Sequence, residues 1–375
     1  MGKVAKALGL NVKGSLDVVL DRTHYVAGDL MQGSVVLSVA EPLDFTSLVL
    51  RIQGKELVTW TEGGGQTASV YLREHFHLQE EIVLTAGQES IQPGEYVYPI
   101  CFQLSDALPD AFHISNRNAG VMCRIDASLS YSATAVMAVK GSFAADLEAK
   151  RPFVVQQPPV GHPVSALEAS SSGDVHVLRL MNKGKCSVSA ALPSNVHVAG
   201  DTLLVQTTVQ NDSTKKMSKL SVMLIEDLTM DLGSSQKPQG EVCVTRREFP
   251  GLAAGKTLEQ VLDLPLTTLA TPSRPVPAAI QSHFLSTRYR LVVKCHFRLC
   301  RSVSVDFPVV ILRKVVVRNA ATAFAPSLAA VAVEASPAVV AAAAAARKSD
   351  PRTSRTSRTS TASLNSVQSV SITRD

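Results

Sequence analysis

Tyr25-Val26-Ala27-Gly28-Asp29 and His197-Val198-Ala199-Gly200-Asp201 are two copies of one short pattern, and they decide the fold. Each copy leads into an alternating run, Gly33–Val39 after the first and Leu203–Val209 after the second. Glycine followed by aspartate between two such runs is a turn signal, because glycine adopts backbone conformations that other residues avoid. The 375-residue chain therefore contains the same unit twice, with a turn and a strand at the same place in each half.

Further from these copies, the chain alternates with a period of two. In Leu48–Gln53, Ile125–Tyr131 and Tyr289–Phe297 every second residue is apolar. Successive side chains of a strand point to opposite faces, so each run has one face for a core and one for water. Antiparallel sheets stacked face to face show this pattern. We predict an all-β fold of two tandem immunoglobulin-like antiparallel β-sandwich domains.

Composition places the borders of these domains. The predicted order is an N-terminal extension over residues 1–13, a first sandwich over 14–156, a linker over 157–180, a second sandwich over 181–317 and a tail over 318–375. Gln156–Pro163 and Ser170–Gly173 favour the linker, because prolines, glycines and serines cluster there. The tail is rich in Ala and then in Ser, Thr and Arg, a composition that predicts disorder.

These stretches resemble the arrestin family, nearest its α-arrestin, or arrestin-domain-containing, branch. The first half is similar to the arrestin N-terminal domain at Tyr25–Leu37 and Ile91–Leu104, and the second half to the C-terminal domain at Ser187–Asp201 and Thr208–Leu224. The resemblance implies a non-catalytic adaptor that links the cytoplasmic tails of membrane-protein cargo to trafficking, endocytosis or ubiquitination machinery. It implies neither a catalytic residue nor a cofactor.

One motif of that branch is missing. α-Arrestins often bind the WW domains of ubiquitin ligases through Pro-Pro-x-Tyr, but here the only Pro-Pro pair, Pro158-Pro159, is followed by Val160 and Gly161. Direct recruitment of WW-domain ligases is therefore not expected. An arrestin-like sorting subunit of the retromer type is the nearest alternative function. A β-sandwich hydrolase and an adhesion module are alternatives of other classes.

Charge and cysteine content exclude further classes. The net charge is +5, and six basic and two acidic residues follow Ala346, so the predicted sandwiches are near neutral. A nucleic-acid binder carries a basic face on its fold, so no nucleic-acid partner is expected. The six cysteines are scattered, the start lacks an apolar secretory segment, and no run is apolar enough to span a bilayer. We expect a cytoplasmic protein peripherally associated with endosomal or plasma membranes.

Two local patterns resemble chemical sites without meeting their requirements. Gly251–Thr257 has three residues between its glycines where a phosphate-binding loop needs four, and its flanks alternate like strands. Cys295 and His296 point to opposite faces of one strand, so they and Cys300 do not converge on a metal ion. The first pattern predicts a turn and the second predicts buried thiols.

A pair of histidines completes the candidate chemistry. His75 and His77 lie two apart and share a face of a strand, with Glu74 and Glu80 nearby. We interpret them as part of a polar surface. The sequence thus predicts no catalytic, cofactor-binding or metal-binding residue.

The tail contains a threefold Arg-Thr-Ser repeat over Arg352–Ser360. Ser354, Ser357 and Ser360 are candidate phosphorylation sites for basophilic kinases, because each phosphate adds about −1.5 to −2 charges and two of them reverse the charge of the tail. Unmodified, the basic tail is a candidate contact with an anionic membrane. The alternative is a solvated low-complexity tail without a role.

Overall fold

The computed structural model describes residues 14–63, 68–86, 90–118, 123–141, 145–158, 161–177, 181–233, 238–313 and 368–370. Every helix or strand in these ranges is a β-strand. The first half contains β1 (Gly14–Leu20), β2 (His24–Val26), β3 (Leu30–Val39), β4 (Phe45–Glu62), β5 (Ser69–Ala86), β6 (Gly94–Gln103), β7 (Phe112–Asn118), β8 (Cys123–Val139) and β9 (Leu147–Gln156). The second half contains β10 (Leu167–Val177), β11 (Met181–Leu192), β12 (Val196–Val198), β13 (Thr202–Asn211), β14 (Met217–Met230), β15 (Gln239–Pro250), β16 (Lys256–Pro265), β17 (Leu285–Phe297) and β18 (Val303–Leu312), and β19 (Gln368–Val370) follows in the tail.

Two sheets form the first sandwich. One has the strand order β1–β3–β6, and the other has the order β5–β4–β8–β9–β2, with β7 also pairing with β8. β2 runs parallel to β9, and the other neighbours are antiparallel. The two sheets share one core, in which Tyr25, Met31, Leu50 and Tyr131 are fully buried. This arrangement buries the apolar face of each alternating strand.

The second sandwich repeats this wiring strand for strand. Its sheets have the orders β10–β11–β13–β16 and β15–β14–β17–β18–β12, and β12 runs parallel to β18. The order of the five-stranded sheet matches that of its counterpart in the first sandwich at every place. Val188, Val205, Leu291 and Phe307 lie in its core. The prediction of two tandem antiparallel sandwiches is confirmed.

The repeated glycine turn has the same geometry in both halves. Gly28 and Gly200 each have a φ of 89°, in the left-handed region that favours glycine. The Gly28 N–H donates to the Ser105 carbonyl at 3.2 Å, and the Gly200 N–H donates to the Leu266 carbonyl at 3.0 Å. The pattern that predicted the repeat therefore marks the same structural corner in each sandwich.

Two segments differ from the sequence prediction. β10 lies inside the predicted linker and pairs with β11, because Val175 and its alternate neighbours Leu167 and Ala169 pack against the core while serines face outward. β19 lies inside the tail predicted to be disordered and pairs antiparallel with β5, with Val370 opposite Val70. Both are edge strands, where a strand needs few apolar side chains.

Candidate functional site

A third apolar cluster joins the two sandwiches, and we call it the domain interface. The first sandwich contributes Val58, Trp60, Ile125 and Ala127, and the second contributes Leu228, Met230, Leu232, Ile280, Phe284 and Leu285, all of them buried. The ring of Trp60, the single tryptophan of the chain, stacks on Tyr71 with centroids 5.2 Å apart. Burial of apolar surface from both sides holds the sandwiches together.

A buried carboxylate lies beside this cluster. Glu56 of β4 is fully buried and accepts hydrogen bonds from the Ser282 hydroxyl (2.8 Å) and from the backbone N–H groups of His283 (3.1 Å) and Phe284 (3.2 Å), all in the second sandwich. His77 Nε2 of β5 lies 2.7 Å from the same carboxylate. Burial alone would raise the pKa of Glu56, but hydrogen bonds from His77, Ser282 and Phe284 hold it below its usual value.

Imidazole rings surround this carboxylate. His75, opposite Glu56 in the register of β4 and β5, stacks on His283 with centroids 3.8 Å apart and planes inclined by 10°. The His77 ring meets His75 edge-on at 4.8 Å. Burial, followed by the nearby His283 and His77 rings, lowers the pKa of His75. A contact of this kind resists protonation.

A second buried carboxylate forms an ion pair across the interface. Glu226 of β14 is 3% exposed and lies 3.0 Å from the Arg117 guanidinium of β7, whose side chain is 25% exposed. The Tyr289 hydroxyl donates to Glu226 at 3.2 Å and to the Pro277 carbonyl at 2.9 Å. Burial and the charge of Glu226 raise the pKa of Tyr289, so its hydroxyl stays a donor.

Two further arginines connect the sandwiches. Arg73 of β5 donates to the Leu232 carbonyl, and Arg313, directly after β18, lies 3.1 Å from Asp110 in the first sandwich. The domain interface therefore combines an apolar centre with directed polar contacts. Such contacts fix one relative orientation, which apolar burial alone does not.

The histidine interpretation from the sequence was wrong. His75 and His77 share a face as predicted, but that face points to the second sandwich and not to solvent. The sequence pattern could not show this, because a neighbouring domain covers the strand. The cysteine prediction was right in its geometry, since Cys295 is fully buried while His296 lies 2.8 Å from the Ser221 hydroxyl. A hydrogen bond with Cys186 of the facing sheet, together with burial, raises the pKa of the Cys295 thiol.

Two other predicted features have clear outcomes. Within the part of the chain that the structure describes, no group of three or more His, Cys, Asp or Glu side chains could hold a metal ion, and no helix could cross a membrane. Ser354, Ser357 and Ser360 lie outside the described residues, so their phosphorylation stays a prediction.

The loop that resembles a phosphate-binding motif is a turn between β15 and β16, as predicted. A Cβ atom on Gly251 would lie 2.0 Å from the Met217 carbonyl oxygen, whereas one on Gly161 would meet nothing within 4 Å. We expect Gly251→Ala to lower the free energy of unfolding by about 2 kcal/mol, because the backbone must move to admit a methyl group. Gly161→Ala is the control and should change it by less than about 0.5 kcal/mol. Urea denaturation measures both, and equal effects would contradict the close packing of this turn.

One end of the second sandwich, which we call the distal tip, brings four turns together. The Thr214 N–H donates to the Lys183 carbonyl at 2.7 Å, and the Asn211 side chain donates to the carbonyls of Lys215 (2.9 Å) and Ala253 (3.1 Å). A bridge between Val177 and Cys300 adds the turn after β17. The exposed or half-buried basic residues of the tip are Lys183, Lys185, Lys215, Lys216, Lys256, Arg298 and Arg301, beside the acidic Asp174 and Asp212.

Two large apolar side chains project from this basic tip. Leu299 is 67% exposed and Met181 is 54% exposed. Leu299 is the one non-glycine residue with positive φ (62°) in the described chain, a conformation that costs leucine about 1 kcal/mol. The strain places an apolar side chain in solvent between Arg298 and Arg301. An apolar tip in a basic surround suits an anionic lipid surface.

The outer face of the four-stranded sheet of the second sandwich is also open. Glu168, Ala191, Gln206 and Val261 form one row across β10, β11, β13 and β16. Leu204, next to this row, lines a shallow groove of about 540 Å³ together with Val261, and both are more than half exposed. Small side chains on the central strands keep the face accessible to an extended peptide.

Two sandwiches of identical wiring, locked through a buried interface, define a tandem β-sandwich protein. This chain belongs to the arrestin family: the family model of the arrestin (or S-antigen) N-terminal domain matches residues 16–158, and that of the C-terminal domain matches residues 182–314. Proteins of this family are generally non-catalytic adaptors.

Two relatives extend the comparison. The chain is 22% identical over 307 residues to "Arrestin domain-containing protein A" of Dictyostelium discoideum, a match that covers 78% of this chain and 50% of the relative. It is 20% identical over 299 residues to "Arrestin domain-containing protein 4" of Mus musculus, covering 76% of this chain and 68% of the relative. The chain thus spans about half the length of the Dictyostelium relative. These matches place it near the arrestin-domain-containing branch.

Proposed function

We propose that this protein is a non-catalytic adaptor that holds membrane-protein cargo and trafficking machinery on one rigid two-domain scaffold. The observation that carries the proposal is the domain interface, in which Glu56 and Glu226 are buried and bonded across the two sandwiches. A scaffold must hold its two docking surfaces at a fixed distance and angle. A buried, directed interface supplies that geometry, and the outer sheet faces stay available for partners.

Cargo would bind as an extended peptide. β6 and β16 are edge strands with unpaired backbone groups on one side, and a peptide can add to such an edge as a further strand. The groove beside Leu204 and Val261 would receive apolar side chains of a peptide that adds next to β16. Cytoplasmic tails of membrane proteins are accessible in extended form, which makes them the proposed cargo.

The distal tip would bring the protein to endosomal or plasma membranes from the cytoplasm. Its basic side chains attract anionic headgroups at about 1 kcal/mol each. Leu299 would enter the headgroup region and gain about 1.5–3 kcal/mol from burial of its side chain. The basic tail predicted from the sequence would add to this attraction.

Leu299→Gly is expected to weaken binding to phosphatidylserine vesicles about tenfold or more, since it removes the apolar side chain. Stability should change by less than about 1 kcal/mol, because glycine accepts the positive φ at this position. Leu269→Gly is the matched control, since Leu269 is 50% exposed after the end of β16 that lies away from the tip. Vesicle cosedimentation measures the binding. Equal binding of the Leu299→Gly variant and the wild type would contradict a membrane role for the tip.

Affinity purification of the full chain with chemical cross-linking tests the function. Membrane transporters, coat subunits or ubiquitin ligases among the cross-linked partners are the expected result. Ligases should depend on a bridging protein, because the chain has no Pro-Pro-x-Tyr motif. Retromer subunits alone would favour the retromer-type sorting role instead. Partners restricted to soluble metabolic enzymes would contradict the adaptor function.

A further inference from the structure

The ring cluster at the domain interface unites ionisable groups from both sandwiches. Glu56 of β4 faces His77 and His75 of β5, and His283 of the second sandwich lies on His75. Tyr131 of β8 is the further ionisable side chain whose titration responds to the charge of Glu56. Arg73 follows the same face of β5 but is bonded to the Leu232 carbonyl.

The nearest other charges point away from the cluster. Lys55 and Glu74 occupy the alternate positions of β4 and β5 and pair with each other on the opposite face of the sheet. Glu56 is therefore the one carboxylate bonded within the cluster in the part of the chain that the structure describes. It already accepts four hydrogen bonds, and His77 lies closest to it. A charge on His77 faces that carboxylate, whereas charges on His75 and His283 face each other.

The stacked pair sets a limit on protonation. Two imidazole rings with centroids 3.8 Å apart pack well when at least one is neutral. When both are charged, like charges meet in a partly buried contact where water screens them poorly. Separation of the two sandwiches at this contact removes the repulsion, because His75 and His283 belong to different domains.

We propose that the domain interface is proton-sensitive, and that charging of both rings of the His75–His283 stack opens the contact between Glu56 and residues 282–284. The opening would be local, since the apolar cluster and the Arg117–Glu226 pair do not contain these histidines. The consequence is regulatory: acidification would change the angle between the two docking surfaces. This inference concerns the interface and does not depend on the identity of any cargo.

The direction of the pH dependence follows from His75. Burial and the neighbouring rings lower the pKa of His75 in the closed state below its ordinary 6.5, so the closed state binds fewer protons than the open one. The closed state is therefore fully favoured above pH 6.5 and loses stability as the pH falls toward the lowered pKa. The pKa of Glu56 is lowered from 4.5, so this carboxylate stays charged over that window.

Hydrogen–deuterium exchange of the full chain tests the proposal. We expect the protection factors of the His283 and Phe284 amides, which donate to Glu56, to fall about threefold to tenfold between pH 6.5 and 5.5, because one linked proton contributes at most about tenfold per pH unit. His283→Phe keeps an aromatic ring on His75 and both backbone donors, and it should reduce this change to less than twofold. His162→Phe, at an exposed position of the linker, should retain the wild-type response.

Each other outcome overturns the inference. Constant protection in the wild type, or the same loss in the His283→Phe variant, would show that the stack does not sense protons. An equal loss of protection in β13 and β16 would show that acid unfolds the second sandwich as a whole. If His283→Phe does not fold, NMR titration of the wild-type histidine Cε1 protons decides the matter. One midpoint below 6 is then expected, and ordinary midpoints for every histidine would refute the proposal.

Discussion

Replacing Glu56 with alanine is expected to lower the free energy of unfolding by about 2–5 kcal/mol and to separate the sandwiches first. The substitution removes the acceptor of two buried backbone N–H groups, those of His283 and Phe284, and a buried donor without a partner costs about 1–3 kcal/mol. Trp60, the single tryptophan, lies in the domain interface, so its fluorescence reports the separation. Circular dichroism reports the loss of the sheets. In urea, the fluorescence transition should move to lower concentration than the circular dichroism transition.

A matched substitution on the neighbouring strand separates burial from charge. Glu74→Ala removes the same carboxylate from β5, but Glu74 is 43% exposed and pairs with Lys55 on the solvent side. Exposed ion pairs contribute about 0–1 kcal/mol, so Glu74→Ala should leave both transitions nearly in place. If Glu56→Ala behaves like Glu74→Ala, water satisfies the freed N–H groups and the carboxylate does not hold the interface.

The sequence predicted the sandwiches because alternation is a local property. In β4, the residues at even positions from Leu48 to Trp60 are buried, which is the period that the sequence displays. The same period contained an overlooked signal. Glu56 occupies an inward position of this strand, and Glu226 occupies an inward position of β14, between Leu224 and Leu228. A carboxylate in register with core residues indicates a buried polar contact.

The partners of these carboxylates could not be predicted in the same way. Glu56 and His283 are 227 positions apart, and Arg117 and Glu226 lie in different domains. No local period relates such residues, since their contact depends on the angle between two sandwiches. For the same reason His75 and His77 looked like a polar surface. The alternation of β5 gives the face on which they lie, but it does not say that a second domain covers that face.

Arg117→Leu should destabilise the protein by about 3 kcal/mol, at the lower end of the range for breaking a buried ion pair, because Arg117 is 25% exposed. Glu226 then remains charged and 3% exposed, with the Tyr289 hydroxyl as its remaining donor. Urea denaturation followed by Trp60 fluorescence measures the loss. Arg51→Leu is the matched control, because the Arg51–Glu81 pair is exposed on both sides, and it should cost less than about 1 kcal/mol.

The reverse substitution and the double variant show whether the pair or the charge matters. Glu226→Leu should cost only about 1 kcal/mol, because Arg117 can reach water and the Tyr289 hydroxyl still donates to the Pro277 carbonyl. With both leucines present no buried charge is left, and apolar replacements of buried pairs are often neutral or stabilising. The double variant should therefore be within about 1 kcal/mol of the wild type, well above the Arg117→Leu single variant. Additive losses in this cycle would mean that Glu226 is tolerated without its arginine, and the pair would then not determine how the two sandwiches are joined.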